Sequence, residues 1–201
     1  MTTALFYTII GYISGSLLPA RFFSRIFCGR DVTEDSPDKN PGTFNAFTYG
    51  GFWCGALTLI CDLLKSFLPV FLYLRVADKS AGLVFVMLAP VLGHIFPVFH
   101  HFDGGKGIAA SFGVLLGLAP DMRPVVILGA MYLLYSFVFK VNPHFYRLVL
   151  TYSSMIVLVT LIRPGAYVVI GCIVVSAAVI GKLIAKFDAD GKMKITPVWK
   201  Q

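Results

Sequence analysis

The chain has 201 residues, of which 57% are hydrophobic and only 13% are charged, and its formal net charge is +7. A soluble domain of this size could not bury so much apolar surface, so the composition excludes an ordinary soluble fold. The apolar runs are too long for membrane β-strands and lack their alternation. We therefore predict an all-α, polytopic membrane helix bundle that forms a single domain over residues 1–201.

About seven apolar segments are candidates for transmembrane helices, which need ~20 residues to cross a bilayer. They are Ala4–Phe23, Ala46–Leu74, Ser80–Phe99, Ile108–Ala119, Val125–Phe139, Phe145–Ile162 and Ala166–Ala185. The first segment lacks a basic n-region and a clear cleavage site, so we interpret it as a retained span. It carries Gly11 and Gly15, four residues apart, which predict a face for close helix packing.

The basic residues predict how the segments are oriented. With seven spans and the N-terminus outside, 12 of the 17 Lys and Arg residues lie inside, 4 lie outside, and Lys65 lies within the second span. This bias follows the positive-inside rule and places the C-terminus in the cytoplasm. The same rule accounts for the net positive charge, so we predict no nucleic acid as a partner. The arrangement puts the Asn40–Asn45 loop and the Gly104–Gly107 turn on the same face.

The polar stretch Gly93–Gly107, which begins within the third segment and ends just before the fourth, is the strongest functional signal. It contains three histidines, Asp103, Lys106 and the glycines Gly104, Gly105 and Gly107. Glycines let backbone N–H groups approach a ligand closely, and a helix starting near Gly107 would add positive potential. With the charge of Lys106, the pattern predicts a phosphate cradle that lacks the spacing of a nucleotide-binding P-loop. The alternative is a glycine-rich hinge with a snorkelling lysine.

Two further groups of polar residues are candidates for the same site. Asn40, Gly42 and Asn45 form either a polar site at the membrane surface or a solvated loop with a helix cap. In the second segment, Asp62 and Lys65 are three residues apart and can pair on one helix face. Either that pair takes part in the function of the protein, or it is an ion pair in which the two buried charges only compensate each other.

The second segment is also unusually long. At about 1.5 Å per residue a helix of this length exceeds the bilayer, so it requires tilt, a projecting end or a kink. The candidate position for a kink is Pro69.

At these residues the chain resembles a known family. The motif Gly93-His94-x-Phe96-Pro97-Val98-Phe99 is followed by Phe102-x-Gly104-Gly105-Lys106-Gly107, and the chain also contains Asn40-Pro41-Gly42-x-x-Asn45 and Asp62-x-x-Lys65. These motifs are similar to those of the bacterial integral-membrane glycerol-3-phosphate acyltransferases that use acyl-phosphate as donor, the PlsY type. The resemblance implies a multi-pass protein of the bacterial inner (plasma) membrane. It also implies acyl transfer from acyl-phosphate to glycerol 3-phosphate, without a cofactor.

The resemblance implies a role for each matching residue. Lys106 and His94 are expected to be catalytic, with His94 transferring a proton or contacting a phosphate. The expected substrate-binding residues are Asn40, Gly42, Asn45, Gly104, Gly105, Gly107 and Lys65. The glycines with Lys106 would hold the donor phosphate and the developing oxyanion, and the asparagines would orient the acceptor.

The chain departs from the family pattern in three places. Asp38 and Lys39 replace a common Ser-Gly pair, Thr48 lies near the position of an expected basic residue, and the last segment lacks the family's third motif. Lys39 and Lys182 are candidates to compensate for the lost charge. The departures leave open a weakened relative that binds acyl-phosphate or a lipid headgroup as a sensor or partner. A small-anion transporter is also open, although no internal repeat is evident.

We predict no metal site. His100, His101 and Asp103 resemble a ligand set, but adjacent histidines rarely bind one ion well, and the reaction requires none. Four scattered cysteines also lack the spacing of a zinc site, so we interpret them as small packing residues.

Overall fold

The computed structural model describes residues 2–187 and 193–198. Nine α-helices occur in these two ranges: α1 (Thr2–Gly15), α2 (Pro19–Cys28), α3 (Val32–Asp35), α4 (Thr43–Val76), α5 (Ala81–Ile95), α6 (Ile108–Leu116), α7 (Arg123–Leu133), α8 (His144–Ile162) and α9 (Ala166–Ala185). A 3-10 turn spans Val98–His100, and a π-helical turn, Leu134–Val138, follows α7. Two short strands, β1 (Val141–Asn142) and β2 (Lys194–Ile195), pair antiparallel. The predicted all-helical architecture is confirmed.

Five helical segments within the described residues are long and apolar enough to cross a membrane. They are Thr2–Cys28, Thr43–Val76, Ala81–His100, His144–Ile162 and Ala166–Ala185. The predicted fourth and fifth spans correspond to shorter helices: α6 has 9 residues, and α7 with its π-helical turn covers Arg123–Val138.

The first predicted span differs from the structure because it is interrupted. α1 ends at Gly15, and α2 begins at Pro19, which occupies the first helical position. Proline has no N–H to continue a preceding helix but is well suited to start one. α2 is amphipathic: it exposes Phe22 and Ile26 and also carries Arg21 and Arg25. The sequence Ala4–Phe23 therefore forms two helices with different surroundings.

The break in the second predicted span lies at Gly51 and not at Pro69. Gly51 has φ 80° and ψ 178°, whereas Pro69 lies inside the helix. A Cβ at position 51 would meet nothing within 4 Å, so glycine is required there for its backbone conformation and not for space. The break separates the first turns of α4, which carry Asn45, from the long part, which carries Asp62.

Close contacts between α1 and α5 confirm the predicted small-residue packing. A Cβ at Gly15 would lie 2.2 Å from the carbonyl oxygen of Pro90, and a Cβ at Gly93 would lie 2.2 Å from that of Tyr12. The two backbones can approach this closely only because no side chain separates them. This contact holds the end of α5, and with it His94, against the N-terminal part of the chain.

The core is formed by apolar side chains from α4, α5, α6, α8 and α9. Representative fully buried residues are Val70, Met87, Leu115, Tyr152 and Val175. Many large apolar side chains are instead exposed on the outside of the bundle, among them Trp53, Phe85 and Leu161. Such an exterior suits a lipid environment, where apolar surface carries no penalty.

Candidate active site

A cavity of about 640 Å³ opens at the end of the bundle where the loop before α4 meets the turn before α6. Its polar lining comes from Asp38, Asn40, Thr43, Asn45, Asp62, His94, Lys106, His144 and Arg147. Its apolar lining includes Phe44, Tyr49, Leu59, Ile108, Phe112 and Tyr132. The cavity therefore offers charged groups and an apolar wall to the same ligand.

Lys106, the predicted phosphate ligand, is paired with Asp38. The Nζ of Lys106 lies 2.8 Å from Oδ2 of Asp38, and the two side chains are 22% and 45% exposed. Oδ1 of Asp38 accepts hydrogen bonds from Nδ2 of Asn45 at 2.8 Å and from the backbone N–H of Asn40 at 3.2 Å. Burial alone would raise the pKa of Asp38, but the hydrogen bonds from Lys106 and Asn45 outweigh burial and lower it. Lys106 thus faces a carboxylate that is charged at neutral pH.

Asn40, Gly42 and Asn45 line the cavity together. Nδ2 of Asn45 also donates to the backbone oxygen of Asn40 at 2.9 Å. Oδ1 of Asn40 is buried and has no hydrogen-bond partner among the described residues. A Cβ at Gly42 would lie 2.5 Å from Nδ2 of Asn40, so a side chain there would displace this amide. The loop therefore contains a buried hydrogen-bond acceptor that the described residues leave without a donor.

Asp62, Lys65 and His94 form a buried charged cluster beneath the cavity. Nζ of Lys65 lies 2.8 Å from Oδ1 of Asp62 and 3.0 Å from Nδ1 of His94. Nδ1 of His94 is also 3.5 Å from Oδ1 of Asp62. The predicted pairing of Asp62 with Lys65 is confirmed, and His94 joins it from α5.

The cluster links elements that are distant in the sequence. Lys65 also donates a hydrogen bond to the backbone oxygen of Leu17, in the break between α1 and α2. Thr43 donates to Oδ2 of Asp62 at 3.4 Å. Asp62 and His94 line the cavity, whereas Lys65 lies behind them. Lys65 is therefore placed to hold these two groups in position.

The glycine-rich turn divides into two parts. Gly104 and Gly105 are buried against the end of α5: a Cβ would lie 2.1 Å from the carbonyl oxygen of His94 at position 104 and 2.2 Å from Nε2 of His94 at position 105. The N–H of Gly105 donates to that same carbonyl oxygen at 3.0 Å, so it is already engaged. These two glycines allow the turn to pass close to His94, behind the cavity wall.

Gly107 belongs to the cavity itself. It has φ 83°, a left-handed conformation that favours glycine, and it caps the start of α6. With Lys106 and the first helical residues Ile108 and Ala109 it lines the cavity. The first N–H groups of a helix lack partners within the helix and carry partial positive charge. The cationic end of the cavity is thus formed by Lys106 and the start of α6.

His144 and Arg147 were not among the predicted site residues, yet both line the cavity from the first turn of α8. Nη2 of Arg147 lies 2.5 Å from Nδ1 of His144. Two signals were available in the sequence. The residues are three apart at the start of a predicted span, so they share one helix face, and that end of the span was predicted to lie on the same side of the membrane as Lys106. Asp38 was noted only as a departure from the family pattern, and its contact with Lys106 was not foreseen.

The candidate compensating lysines lie outside the main cavity. Nζ of Lys182 donates to the backbone oxygen of Ile95 at 3.2 Å and lies 3.9 Å from Oδ1 of Asp103. Lys186 pairs more closely with Asp103, at 2.9 Å, and this hydrogen bond lowers the pKa of Asp103. Lys39 is exposed, in a left-handed conformation with φ 47°. Asp103 is therefore engaged by lysines.

Comparison with known proteins identifies relatives of the chain. A family model described as glycerol-3-phosphate acyltransferase matches residues 5–189. A glycerol-3-phosphate acyltransferase of Shewanella woodyi is 34% identical over 156 residues, which cover 78% of this chain and 70% of the relative. One of Legionella pneumophila (strain Corby) is 39% identical over 116 residues, or 58% of this chain. That match spans only 42% of the Legionella protein's length.

Two solved structures have the same fold. Both are crystal structures of PlsY (YgiH), an integral membrane glycerol 3-phosphate acyltransferase. The glycerol 3-phosphate form gives a TM-score of 0.77 at 25% identity, and the lysophosphatidic acid form gives 0.72 at 26%. Each comparison covers 89% of this chain and 87% of the other. Together with the family model that matches most of the sequence, these similarities show that the chain belongs to the glycerol-3-phosphate acyltransferase family.

Proposed function

We propose that the protein transfers an acyl group from acyl-phosphate to the 1-hydroxyl of glycerol 3-phosphate, giving lysophosphatidate and phosphate. The observation that carries this proposal is the single cavity in which Lys106 and the start of α6 lie beside an apolar wall. An acyl-phosphate has the same two parts, an anionic head and an apolar chain. The similar solved structures support the acceptor, since they are a glycerol 3-phosphate form and a lysophosphatidic acid form.

In the proposed reaction the acceptor hydroxyl attacks the acyl carbonyl carbon, and the bond from that carbon to the phosphate oxygen breaks. The hydroxyl proton leaves with the released phosphate, so no covalent enzyme intermediate is required. Lys106 and the first N–H groups of α6 stabilise the developing oxyanion and the leaving phosphate. Their cavity position next to Gly107 supports this role.

The remaining polar residues would orient the acceptor. Oδ1 of Asn40 is buried without a partner in the described part of the chain, so it is available to accept a hydrogen bond from an acceptor hydroxyl. We place Asn45 and Gly42 in support of Asn40, because Asn45 donates to its backbone oxygen and Gly42 leaves room for its side-chain amide. His94 would contact a phosphate or transfer a proton, held by Asp62 and Lys65. Gly104 and Gly105 would fix the turn against His94.

We also propose the arrangement in the membrane that the basic residues predict. The chain would cross a bacterial inner membrane seven times as a single domain, with the N-terminus outside and the C-terminus in the cytoplasm. The distribution of 12 basic residues inside and 4 outside supports this orientation. The cavity would then open to the cytoplasm, where glycerol 3-phosphate is available. Reporter fusions at the two termini test the orientation.

The test of activity is phosphate release from palmitoyl-phosphate, measured with and without glycerol 3-phosphate. We expect release to require glycerol 3-phosphate and to fall at least 100-fold in Lys106→Ala, because removing a donor to a developing oxyanion costs about that much. Lys79→Ala is the matched control, since Lys79 is an exposed lysine far from the cavity lining. Equal activity of Lys106→Ala and the control would remove Lys106 from the reaction.

One observation favours a second function, that of a sensor or binding partner. Asp38 pairs with Lys106 at 2.8 Å, so this lysine is less able to stabilise the negative charge that develops during acyl transfer, while the start of α6 remains to bind an anion. This alternative predicts binding of palmitoyl-phosphate without phosphate release. The same purified protein distinguishes the two functions, because binding and release are measured separately.

A further inference from the structure

The first turn of α8 brings a cation into the cavity that no carboxylate of the described residues compensates. Arg147 is half-buried and lines the cavity. The only hydrogen bond of its side chain to the described residues is the 2.5 Å contact with Nδ1 of His144. Its Nε is buried and has no hydrogen-bond partner among those residues. The guanidinium therefore has donors that the described part of the chain leaves unused.

The carboxylates that line the cavity are already engaged. Asp38 pairs with Lys106 at 2.8 Å, and Asp62 pairs with Lys65 at 2.8 Å. No described carboxylate lies within 4.0 Å of Arg147. With those two pairs neutral, Arg147 supplies the excess positive charge of the lining.

Arg147 also differs from the other arginines. Four of the other arginines pair with an aspartate: Arg21 and Arg25 with Asp31, Arg30 with Asp35, and Arg123 with Asp121. Arg75 lies 4.5 Å from the centre of the Phe71 ring, and Arg163 is exposed. Among these described arginines, Arg147 alone is half-buried in the cavity lining and has neither an acidic partner nor a cation–π contact. Burying a charge without a partner is unfavourable, so an anionic ligand would relieve a cost that the free protein bears.

We infer that Arg147, with His144, forms a second phosphate-binding subsite in this cavity. A guanidinium binds phosphate through two parallel hydrogen bonds, which its fixed planar shape favours. His144 and Lys106 both line the main cavity and also a smaller one of about 210 Å³, so the two subsites belong to the same end of the bundle. The contact with His144 orients the guanidinium.

Two subsites suit the chemistry of the proposed function, on which this inference rests. Both substrates carry a phosphate group, and both must be bound when the hydroxyl attacks. Lys106 and the start of α6 can hold one phosphate, but a second dianion beside it requires another cation. The phosphate at Arg147 belongs to either glycerol 3-phosphate or the acyl-phosphate, and the test separates these two sources.

The test compares wild type with Arg147→Gln, Arg147→Lys and Arg163→Gln. Arg163 follows the other end of α8, sixteen residues further on, so its substitution removes the same charge from the same helix at about 24 Å. The first readout is the midpoint of thermal unfolding of the purified proteins with and without inorganic phosphate or glycerol 3-phosphate. A ligand that binds only the folded state raises this midpoint.

We expect these ligands to bind Arg147→Gln at least tenfold more weakly than wild type, with partial recovery in Arg147→Lys and no change in Arg163→Gln. Without ligand, Arg147→Gln should unfold at or above the temperature of wild type, because the uncompensated charge is gone. Equal ligand-induced shifts in wild type and Arg147→Gln would overturn the inference, as would a wild type that shows no shift.

The second readout is KM for each substrate. An increase for glycerol 3-phosphate alone assigns the subsite to the acceptor, and an increase for palmitoyl-phosphate alone assigns it to the donor. Unchanged KM for both contradicts the inference. If wild type binds phosphate through Arg147 but transfers no acyl group, the proposed function fails while the subsite stands. The two failures are therefore distinguishable.

Discussion

Lys106 and Asp38 form an ion pair of 2.8 Å across the mouth of the cavity, between residues 68 positions apart in the sequence. The lysine expected to hold a substrate phosphate therefore already faces an anionic group of the same chain. A phosphate that enters must compete with this carboxylate for Lys106. The pair is the feature of the site that most directly limits anion binding.

Asp38→Asn should strengthen the binding of palmitoyl-phosphate. Asparagine can still accept the hydrogen bonds from Asn45 and Asn40 but no longer neutralises Lys106. A partly exposed ion pair is worth ~0.2–1 kcal/mol, so we expect KM for palmitoyl-phosphate to fall by up to about fivefold. Steady-state kinetics measure this change. Asp121→Asn is the control, since it removes a carboxylate paired with Arg123 outside the cavity lining. A KM that rises in Asp38→Asn alone would show that the carboxylate helps binding.

The stability contributed by Asp38 should depend on pH in the acidic range. Its pKa is lowered in the folded protein below the ordinary value of 3.8, because the hydrogen bonds from Lys106 and Asn45 outweigh burial. A lowered folded-state pKa gives stability that is present above the unfolded pKa and is lost as pH falls through the folded pKa. Wild type should thus be slightly more stable than Asp38→Asn at pH 7, and the difference should be lost as pH falls below 3.8 and through the lowered pKa of Asp38. Thermal unfolding from neutral pH down to about pH 2 measures the difference, and a difference that stays constant over this range contradicts the ion-pair origin.

Lys65→Met should destabilise the protein more than the double variant Lys65→Met with Asp62→Asn, which removes both charges of the pair. Asp62 is 1% exposed and would lose its closest cation, leaving only the weaker contacts with His94 and Thr43, and breaking a buried ion pair in this way costs about 3–5 kcal/mol. Lys65→Met with Asp62→Asn removes both charges, so we expect it to recover at least half of the loss. Unfolding in detergent with a chemical denaturant compares the two. A double variant no more stable than Lys65→Met would mean that packing at Lys65, and not its charge, supports this region.

Gly105→Ala should reduce acyl transfer at least tenfold while leaving the helices folded. The new Cβ would lie 2.2 Å from Nε2 of His94, so either the histidine or the turn carrying Lys106 must move. Misplacement of a catalytic group by about 1 Å can cost as much as 100-fold. Gly181→Ala is the control, since a Cβ there meets nothing within 4 Å. The initial rate of phosphate release and the circular dichroism spectrum are measured for both variants. A wild-type rate of phosphate release in Gly105→Ala would show that acyl transfer does not depend on the close approach of this turn to His94.

Much of the architecture was predictable because it depends on local patterns. Runs of apolar residues predict helices of a membrane bundle, and the pair Asp62 and Lys65 follows from helical spacing. The small residues Gly11 and Gly15 indicated the close packing of α1 that the structure contains. The motif around Lys106 indicated the end of the bundle where the cavity lies.

Other features were decided only by the packing of distant segments. The break at Gly51 lies beside the packing of Ala46 and Cys54 against Ala20 and Val32, which come from α2 and α3. The pair Gly50-Gly51 was a local signal for it, but only this packing decides between Gly51 and Pro69. Likewise, Asp38 reaches Lys106 because α4 and α6 pack side by side: a Cβ at Gly113 would lie 2.4 Å from the carbonyl oxygen of Leu63.

The sequence by itself determined which residues carry charge and which segments form apolar helices, since composition and periodicity act over a few turns of the chain. The tertiary structure alone decided that Asp38 neutralises Lys106, while Arg147 lines the same cavity with no carboxylate of residues 2–187 and 193–198 beside it. The physical reason is that an ion pair depends on separation in space. For residues on different helices and loops, that separation is set by helix packing over the whole bundle and has no signature in their spacing along the chain.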